Sequence, residues 1–178
     1  ITINNADLVI GKKAASITGT TTNLTYNAQT QTQNAAVLSG FIEADVIGGT
    51  VGATGLASGR NADTYTSSLA ATGTDASNYS ITINNADLVI GKKAASITGT
   101  TTNLTYNAQT QMQNAAVLSG FIESDVIGGT VGATGLASGR NADTYTSSLS
   151  ATGDDASNYN ITINNADLVI GKKAASIT

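Results

Sequence analysis

The carboxylate side chains are the first candidates for chemistry in this chain. Glu43 and Asp45 stand two positions apart. Glycoside hydrolysis uses such a pair, with one carboxyl group of raised pKa in a cleft and a suitable separation between the two. Both residues fall in a predicted loop, so we interpret them as solvated side chains. The pair therefore predicts no catalytic site.

A second acidic group contains residue types that are common in calcium loops. Asp154 and Asp155 are followed by Asn158, and carboxylate and amide oxygens are ligands that Ca²⁺ accepts. The spacing of a calcium loop is missing, and the corresponding segment upstream has Thr74 in place of Asp154. We therefore predict no metal site and no cofactor.

The remaining candidates are lysines, asparagines and threonines. Lys12 and Lys13 would need burial beside a carboxylate to form a Lys–Asn cross-link, and lysines are mostly solvated. Triplets that fit the N-glycosylation pattern also arise by chance in Asn- and Thr-rich sequence. A flat threonine face would suit ice or polysaccharide, but threonine is also a good strand former on a solvated face. The triplets and threonine runs are Asn23–Thr25, Asn78–Ser80, Asn160–Thr162, Thr20–Thr22, Thr30–Thr32 and Thr64–Thr66.

Composition excludes several classes of protein. The 178 residues include no His, Cys, Pro or Trp, and only 11% are charged. Zinc sites of the usual kind and disulfides are thus excluded. A net charge of −4 without basic clusters argues against nucleic-acid binding, because phosphate neutralisation needs Lys and Arg. No apolar run approaches the ~20 residues that cross a bilayer.

An internal repeat of 80 residues organises the chain. The stretch ITINNADLVIGKKAASIT begins at residues 1, 81 and 161, and 75 of 80 positions match between the two full copies. The period is too long for one solenoid unit of about 20–50 residues and suits a small domain with its own core. We predict two domains at 12–91 and 92–171, the end of a preceding repeat at 1–11, and the first strand of a following repeat at 172–178.

Alternation of apolar and polar residues predicts β-strands in each repeat. Tyr79, Ile81 and Ile83 share one face, and Leu88 and Ile90 share another. The two runs, separated by two asparagines, are typical of a hairpin. The predicted core is Tyr26, Tyr65, Leu69, Tyr79, Ile81, Leu88 and Ile90, with their counterparts 80 residues on.

About seven short strands per repeat, with a turn signal every ten residues or so, indicate an all-β fold made of β-sandwiches. The segment 33–47 fits either a short helical turn or a strand pair, and further strands are expected at 46–47 and 51–53. A β-helix would show a shorter period inside the repeat, and none is present.

The joint between repeats is predicted at Gly91-Lys92-Lys93. Only the two lysines separate the last strand of one repeat from the first strand of the next. A joint this short is no flexible linker, so we expect the sandwiches to lie end to end as a semi-rigid rod. The apolar residues of 1–11 and 172–178 would then be disordered or ordered by a neighbour, and strand addition or end-to-end self-association would order them.

The ordered motifs resemble a known family of repeats. NLTYNAQTQ, LSGFIEADVIGG, NADTYTSSL and SNYSITINNADLVIGKK follow one another in each copy. They are similar to the MBG-type, or YDG-type, immunoglobulin-like repeats of large bacterial surface adhesins. The chain departs from that pattern at Ala28 and Asp63, where the family commonly has Gly.

The resemblance implies a function as well as a fold. It implies tandem immunoglobulin-like modules that act as the stalk of a secreted or cell-surface adhesin, with adjacent identical repeats as partners. The alternative is a module that itself contacts glycan, ice or neighbouring filaments. We expect no enzyme activity, because His and Cys are absent and no convergent acid–base set is visible.

Overall fold

A computed structural model describes residues 1–177, and β-strands dominate it. Each repeat carries ten strands, one short α-helix and one 3₁₀ helix. The prediction of an all-β fold is confirmed. Residues 1–12 and 172–177 are in neither helix nor strand, and Thr178, part of the predicted last strand, lies outside the described residues.

The elements of the two repeats correspond one to one. Those of the first are β1 Lys13–Thr18, β2 Thr22–Thr25, β3 Gln31–Thr32, β4 Val37–Ser39, α1 Glu43–Ile47, β5 Gly52–Thr54, β6 Ser58–Gly59, β7 Thr64–Thr66, β8 Ala70–Thr72, a 3₁₀ helix Thr74–Asn78, β9 Tyr79–Asn84 and β10 Asp87–Gly91. Those of the second are β11 Lys93–Thr98, β12 Thr102–Thr105, β13 Gln111–Met112, β14 Val117–Ser119, α2 Glu123–Ile127, β15 Gly132–Thr134, β16 Ser138–Gly139, β17 Thr144–Thr146, β18 Ser150–Thr152, a 3₁₀ helix Asp154–Asn158, β19 Tyr159–Asn164 and β20 Asp167–Gly171.

The described chain divides into two compact units. The first unit comprises residues 1–24, 30–59 and 63–89. The second comprises the chain from Ile90 onward together with two loops of the first sequence repeat, 25–29 and 60–62. The sequence-based boundaries at 12–91 and 92–171 stay a prediction.

In the second unit, two three-stranded sheets carry most of the pairing. Strand β11 lies between β14, which is antiparallel to it, and β19, which is parallel. Strand β20 lies between β12, parallel, and β17, antiparallel. Two-stranded ladders β13–β16 and β15–β18 complete the unit.

The first unit repeats this pattern. Strand β1 pairs with β4 antiparallel and with β9 parallel, and β10 pairs with β7 antiparallel. The ladders β3–β6 and β5–β8 are antiparallel. The two sequence copies thus specify the same set of strand partners.

Strand β10 buries one face, as the period of two predicts, whereas on the predicted face of β9 Tyr79 is buried, Ile81 is half-buried and Ile83 is exposed. Leu88 and Ile90 are 0% and 2% exposed, and Tyr26, Leu69 and Tyr79 are also buried. Tyr65, also in the predicted core, is only half-buried; its ring lies against Gly59, where a Cβ would come within 2.2 Å of the ring. Ile17 and Val51, outside the predicted core, are buried as well.

The predicted hairpin between Tyr79–Ile83 and Ala86–Ile90 is wrong. Strand β9 pairs with β1 in one sheet and β10 pairs with β7 in another, so the chain crosses between sheets at this point. Asn85 supports the crossover, since its Oδ1 accepts a hydrogen bond from the Leu69 N–H at 2.8 Å. The asparagines therefore anchor the crossover and do not form a tight hairpin turn.

Two other expectations need correction. The repeat has ten strands and not about seven, because several pairs are ladders of only two or three residues. Residues 46–47, expected as strand, belong to α1. The segment 33–47 contains the short helix α1, as the first of its two alternatives predicts, and a single strand, β4, which pairs with β1 and not with a second strand of the segment.

All five positions that differ between the repeats are exposed in both copies. The exposed pairs are Thr32/Met112, Ala44/Ser124, Ala70/Ser150, Thr74/Asp154 and Ser80/Asn160. Substitution at exposed positions usually changes stability little, whereas changes of volume in the core are costly. The two copies therefore share one core and differ only in surface chemistry.

A turn with left-handed backbone lies in each repeat. Ala28 and Ala108 have φ of 63° and 66° and are the non-glycine residues with positive φ in the described chain. The side chain of the asparagine before each alanine accepts a hydrogen bond from the backbone N–H two residues further along the chain. In the first repeat, the Gln29 N–H donates to Asn27 at 2.9 Å. The turn therefore keeps a left-handed conformation, although the chain has Ala28 where the family it resembles commonly has Gly.

Replacing Ala108 by Gly should stabilise the chain. Left-handed backbone costs an L-residue about 1–2 kcal/mol, of which about 0.5–1 kcal/mol is offset by the greater unfolded-state entropy of Gly. We expect a net gain of about 0.5–1 kcal/mol in the free energy of unfolding by urea titration. Ala44→Gly is the control, because Ala44 is exposed in a helix and its replacement should cost about 1 kcal/mol. A loss of stability in Ala108→Gly would contradict the strain argument.

Candidate functional site

The structure does not bring the first carboxylate pair into a cleft. Glu43 is exposed in the first turn of α1, and Asp45 lies in the same helix, half-buried. The Asp45 carboxylate accepts a hydrogen bond of 2.5 Å from the Tyr79 hydroxyl. Asp45 is thus a structural acceptor in the first unit.

The lysines and threonines also have structural surroundings. Lys12 and Lys13 are exposed, and the Lys13 ammonium donates to the Gly40 carbonyl. Thr22 is buried, donates to the Thr20 carbonyl and accepts from the Asn34 N–H, each at 3.0 Å. At least one threonine of the runs considered for a flat face is therefore buried inside the fold.

The acidic group at 154–158 leads to a concentrated set of polar contacts. Asp155 and Asn158 are buried in the second unit and contact the loop 60–62, while the nearby Asp125 accepts a hydrogen bond from Tyr26 in the loop 25–29. We call the participating residues the loop cluster: Tyr26, Arg60, Asn61, Asp125, Asp155, Asn158 and Tyr159. Asp154 is exposed and lies outside it.

Local structure presents each acidic side chain of the loop cluster. Asp125 lies in the first turn of α2, and Asp155 lies in the 3₁₀ helix that begins at residue 154. Gly153 has φ of 99°, and a Cβ there would be 2.2 Å from the Thr130 carbonyl oxygen. Its lack of a side chain allows the close approach in which the Asp155 N–H donates to that same oxygen at 3.0 Å.

Asp125 is the acceptor at the centre of the loop cluster. Its side chain is 3% exposed, and its Oδ2 accepts from the Tyr26 hydroxyl at 3.1 Å and from the Tyr159 hydroxyl at 2.6 Å. The two tyrosine rings meet edge to face with centroids 5.4 Å apart. A buried carboxylate without such donors would cost several kcal/mol, so these hydroxyls stabilise the fold.

Arg60 forms a two-pronged pair with Asp155. Its Nη1 and Nη2 donate to the two carboxylate oxygens at 2.8 and 3.1 Å, and Nη2 is also 3.8 Å from Asp125 Oδ1. The guanidinium stacks over Tyr26, with Cζ 5.8 Å from the ring centroid, and Nε donates to the Ala28 carbonyl at 3.1 Å. Arginine fits this role because its planar fork matches a carboxylate.

Asn158 contacts the loop 60–62 through its side-chain amide. Its Oδ1 accepts from the Ala62 N–H at 2.9 Å, and its Nδ2 donates to Asp155 at 3.1 Å. Nδ2 also lies 3.4 Å from the Asn61 side-chain oxygen. One amide therefore satisfies both a loop backbone group and a buried carboxylate.

The ionisation of the loop cluster follows from its contacts. Hydrogen bonds from Arg60 lower the pKa of Asp155, while burial opposes them. Burial, and then the hydrogen bond to Asp125, raise the pKa of Tyr26 to about 12 and also raise the pKa of Tyr159. At neutral pH the tyrosines are thus protonated donors and Asp155 is a charged acceptor.

The two sequence copies act as a control for these contacts. Asp155 and Asn158 are buried, whereas their counterparts Asp75 and Asn78 are half-buried and exposed. On the loop side, Tyr26 and Ala28 are buried, whereas Tyr106 and Ala108 are half-buried and exposed. Because the local sequences are nearly identical, the difference in burial results from the contacts of the loop cluster.

The loop cluster consists of hydrogen bonds and an ion pair between buried side chains and loops. Among residues 1–177 no three acidic side chains group as metal ligands, and no buried side-chain N or O atom lacks a hydrogen-bond partner. Asp125 and Asp155 are fully engaged by tyrosine, asparagine and arginine. No part of the described chain is a helix long and apolar enough to span a membrane.

Sequence reasoning did not single out Arg60 and treated Tyr26 and Tyr159 only as core residues. One signal was available, since Arg60 and Arg140 are the two arginines of the chain and occupy the same position in each repeat. Comparison with protein families, with curated proteins and with solved structures found no match to this chain.

The ion pair between Arg60 and Asp155 predicts how the free energy of unfolding depends on pH. In the fold, the pKa of Asp155 lies below its ordinary value of 3.8. The ionised side chain therefore stabilises the fold fully above about pH 4, and this stability is lost as the pH falls through the folded pKa. Asp155→Asn should lower the free energy of unfolding by about 1 kcal/mol at pH 7, since Arg60 is partly exposed to solvent screening. The difference from wild type should shrink below about pH 4.

The matched control is Asp75→Asn, because Asp75 forms no ion pair with Lys or Arg within residues 1–177. Urea unfolding of both variants at pH 7, 5 and 3 measures the effect. Equal losses in the two variants at pH 7, or a gap for Asp155→Asn that does not change with pH, would contradict the prediction.

Proposed function

We propose that the chain is part of the stalk of a secreted or cell-surface bacterial adhesin, built from tandem immunoglobulin-like β-sandwiches that act as spacers. The observation that carries this proposal is the loop cluster, in which loops of one sequence repeat bond the buried carboxylates of the next. A spacer needs each repeat to hold its neighbour, and identical repeats in one chain are then each other's partners.

Three further features support a spacer. Two three-stranded sheets per repeat are compatible with an immunoglobulin-like sandwich. Only one residue, Lys92, separates β10 from β11, and a connection of one residue is too short to be a flexible linker. The repeats vary only at exposed positions, as expected where the shared fold and not a particular surface site is what matters.

The proposal makes the chain a structural protein and not an enzyme. Its carboxylates are either exposed, as Glu43 is, or held by structural donors, as Asp125 and Asp155 are. A general acid or base has to reach a substrate proton, and a carboxylate closed in by tyrosine and arginine does not.

One observation favours the alternative of a binding module. Each repeat has a largely apolar groove, of about 230 Å³ in the first unit and about 330 Å³ in the second. Val46 and Leu56 line the first of these grooves, and Val126 and Leu136 line the second. A groove repeated in every module would present a row of weak sites, whose binding would increase with repeat number.

The spacer proposal predicts how length depends on repeat number. Chains with two, four and eight repeats should have maximum dimensions in small-angle X-ray scattering that rise linearly, by about 30 Å per repeat, from the size of an 80-residue domain. Flexibly linked repeats would instead extend roughly as the square root of their number. A square-root dependence would contradict the stalk.

The same chains test the alternative on a glycan array. A spacer should give no saturable binding at any repeat number. Saturable binding by the two-repeat chain that strengthens with four and eight repeats would replace the spacer by the binding module. The control is Leu56→Ser with Leu136→Ser, which should abolish such binding if the grooves are responsible.

A further inference from the structure

An open groove in the second unit reproduces one half of the loop cluster. It has a volume of about 330 Å³ and is lined by Tyr106, Asn141, Ala142, Lys172 and Lys173. The first three correspond to Tyr26, Asn61 and Ala62, the loop residues that contact Asp125 and Asn158. The groove is therefore a second copy of the loop half.

Arg140 stands beside this groove in the same position as Arg60. Its Nε donates to the Ala108 carbonyl at 2.9 Å, as Arg60 Nε does to Ala28. Arg140 is exposed and, within the described residues, pairs with no carboxylate. Its guanidinium fork is thus positioned by the same backbone contact and is open to a partner.

The first unit carries the other half of the loop cluster. Asp45, Asp75 and Asn78 correspond to Asp125, Asp155 and Asn158 and have the same local contacts. Tyr79 donates to Asp45 as Tyr159 does to Asp125, and the Asn78 amide lies 3.3 Å from Asp75 as the Asn158 amide lies near Asp155. Asp45 and Asp75 are half-buried and Asn78 is exposed, so this acceptor surface is accessible.

We propose that two copies of this chain bind head to tail, with the groove and Arg140 of one copy on the acceptor surface of the other. Arg140 then pairs with Asp75, Tyr106 donates to Asp45, and the Ala142 N–H donates to Asn78. This inference goes beyond the spacer role, because it concerns separate molecules, and its failure would leave the contacts between repeats of one chain untouched.

The loop cluster gives the bonds expected at this contact. Asp155, the counterpart of Asp75, takes two parallel hydrogen bonds from Arg60 at 2.8 and 3.1 Å. Charge-assisted bonds of this kind are about twice as strong as neutral ones and demand one geometry. Arg140 beside the groove and Asp45 and Asp75 on the acceptor surface are opposite in charge, which favours this pairing over a contact of two like halves.

The ends of the chain do not prevent the contact. In the loop cluster the Tyr26 N–H donates to the Gly91 carbonyl at 2.9 Å, and the segment that follows Gly91 corresponds to residues 172–177 in one copy and 12–17 in the other. Residues 172–177 are exposed and outside any strand, so they can move aside for β1 of the second copy. Residues 1–11 are likewise exposed and outside any strand.

The contact uses different surfaces on the two copies. Such a heterologous contact leaves one loop half and one acceptor half open at the ends of every assembly. The association therefore has no fixed stoichiometry and grows with concentration into linear oligomers.

The test is a pair of charge reversals, measured alone and mixed. Sedimentation velocity of wild type, Arg140→Asp and Asp75→Arg is recorded from 10 μM to 1 mM in low salt, after circular dichroism has verified folding. Wild type should show a weight-average mass that rises with concentration. Each reversal alone should weaken this association at least about tenfold, because like charges then face each other.

An equimolar mixture of the two reversed chains should regain the association. One chain keeps Asp75, the other keeps Arg140, and the reversed pair is again of opposite charge. Recovery in the mixture also excludes misfolding as the cause of the losses. Arg140→Lys keeps the charge but loses the fork, so it should weaken association by about three- to tenfold.

Three results would overturn the proposal. One is a wild-type chain that stays monomeric to 1 mM. Another is association that neither reversal weakens, which would assign it to pairing through residues 1–11 or 172–178. The third is a mixture that stays as dissociated as its components although both fold.

Discussion

The two buried carboxylates of the second unit impose the constraint on which its loop arrangement depends. Asp125 and Asp155 are 3% and 7% exposed, and a buried charge is tolerated only with donors around it. The donors come from Arg60, Tyr26, Asn158 and Tyr159. Two of these four belong to loops of the preceding sequence repeat, so burial of the carboxylates requires those loops in place.

This requirement explains why two loops of the first sequence repeat belong to the second unit. An 80-residue domain buries only somewhat over ~60% of its unfolded surface, so its own core supplies modest stability. Contacts that couple one repeat to the next add to that core, and a one-dimensional array gains stability from each added neighbour. The proposed stalk and the proposed head-to-tail binding both use this one coupling, within a chain in the first case and between chains in the second.

The strand content and much of the core could be predicted from the sequence because they depend on local alternation. Leu88 and Ile90 alternate with polar neighbours, and burial follows directly. The hairpin could not be excluded in this way, because Asn84 and Asn85 suit a tight turn and the actual partners of β9 and β10 lie far away in sequence. Parallel pairing leaves no short-range signal.

The loop cluster is harder still to predict, since Arg60 and Asp155 are 95 residues apart. Local sequence is nearly the same around Asp75 and Asp155, yet only Asp155 is buried and paired with an arginine. No local pattern can separate two nearly identical segments. Only the surroundings of each copy distinguish them, and those depend on the tertiary fold.

The most direct test of this account is a double-mutant cycle on Arg60 and Asp155, each replaced by Ala, in the full chain. Urea unfolding should give a coupling free energy of about 1–2 kcal/mol, as for residues in one hydrogen-bonded network. The matched cycle on Arg140 and Asp75 within the monomer, run at low concentration, should give coupling within about 0.3–0.5 kcal/mol of zero. Equal coupling in the two cycles, or none for Arg60 and Asp155, would contradict the claim that this ion pair holds the loops of one repeat to the next.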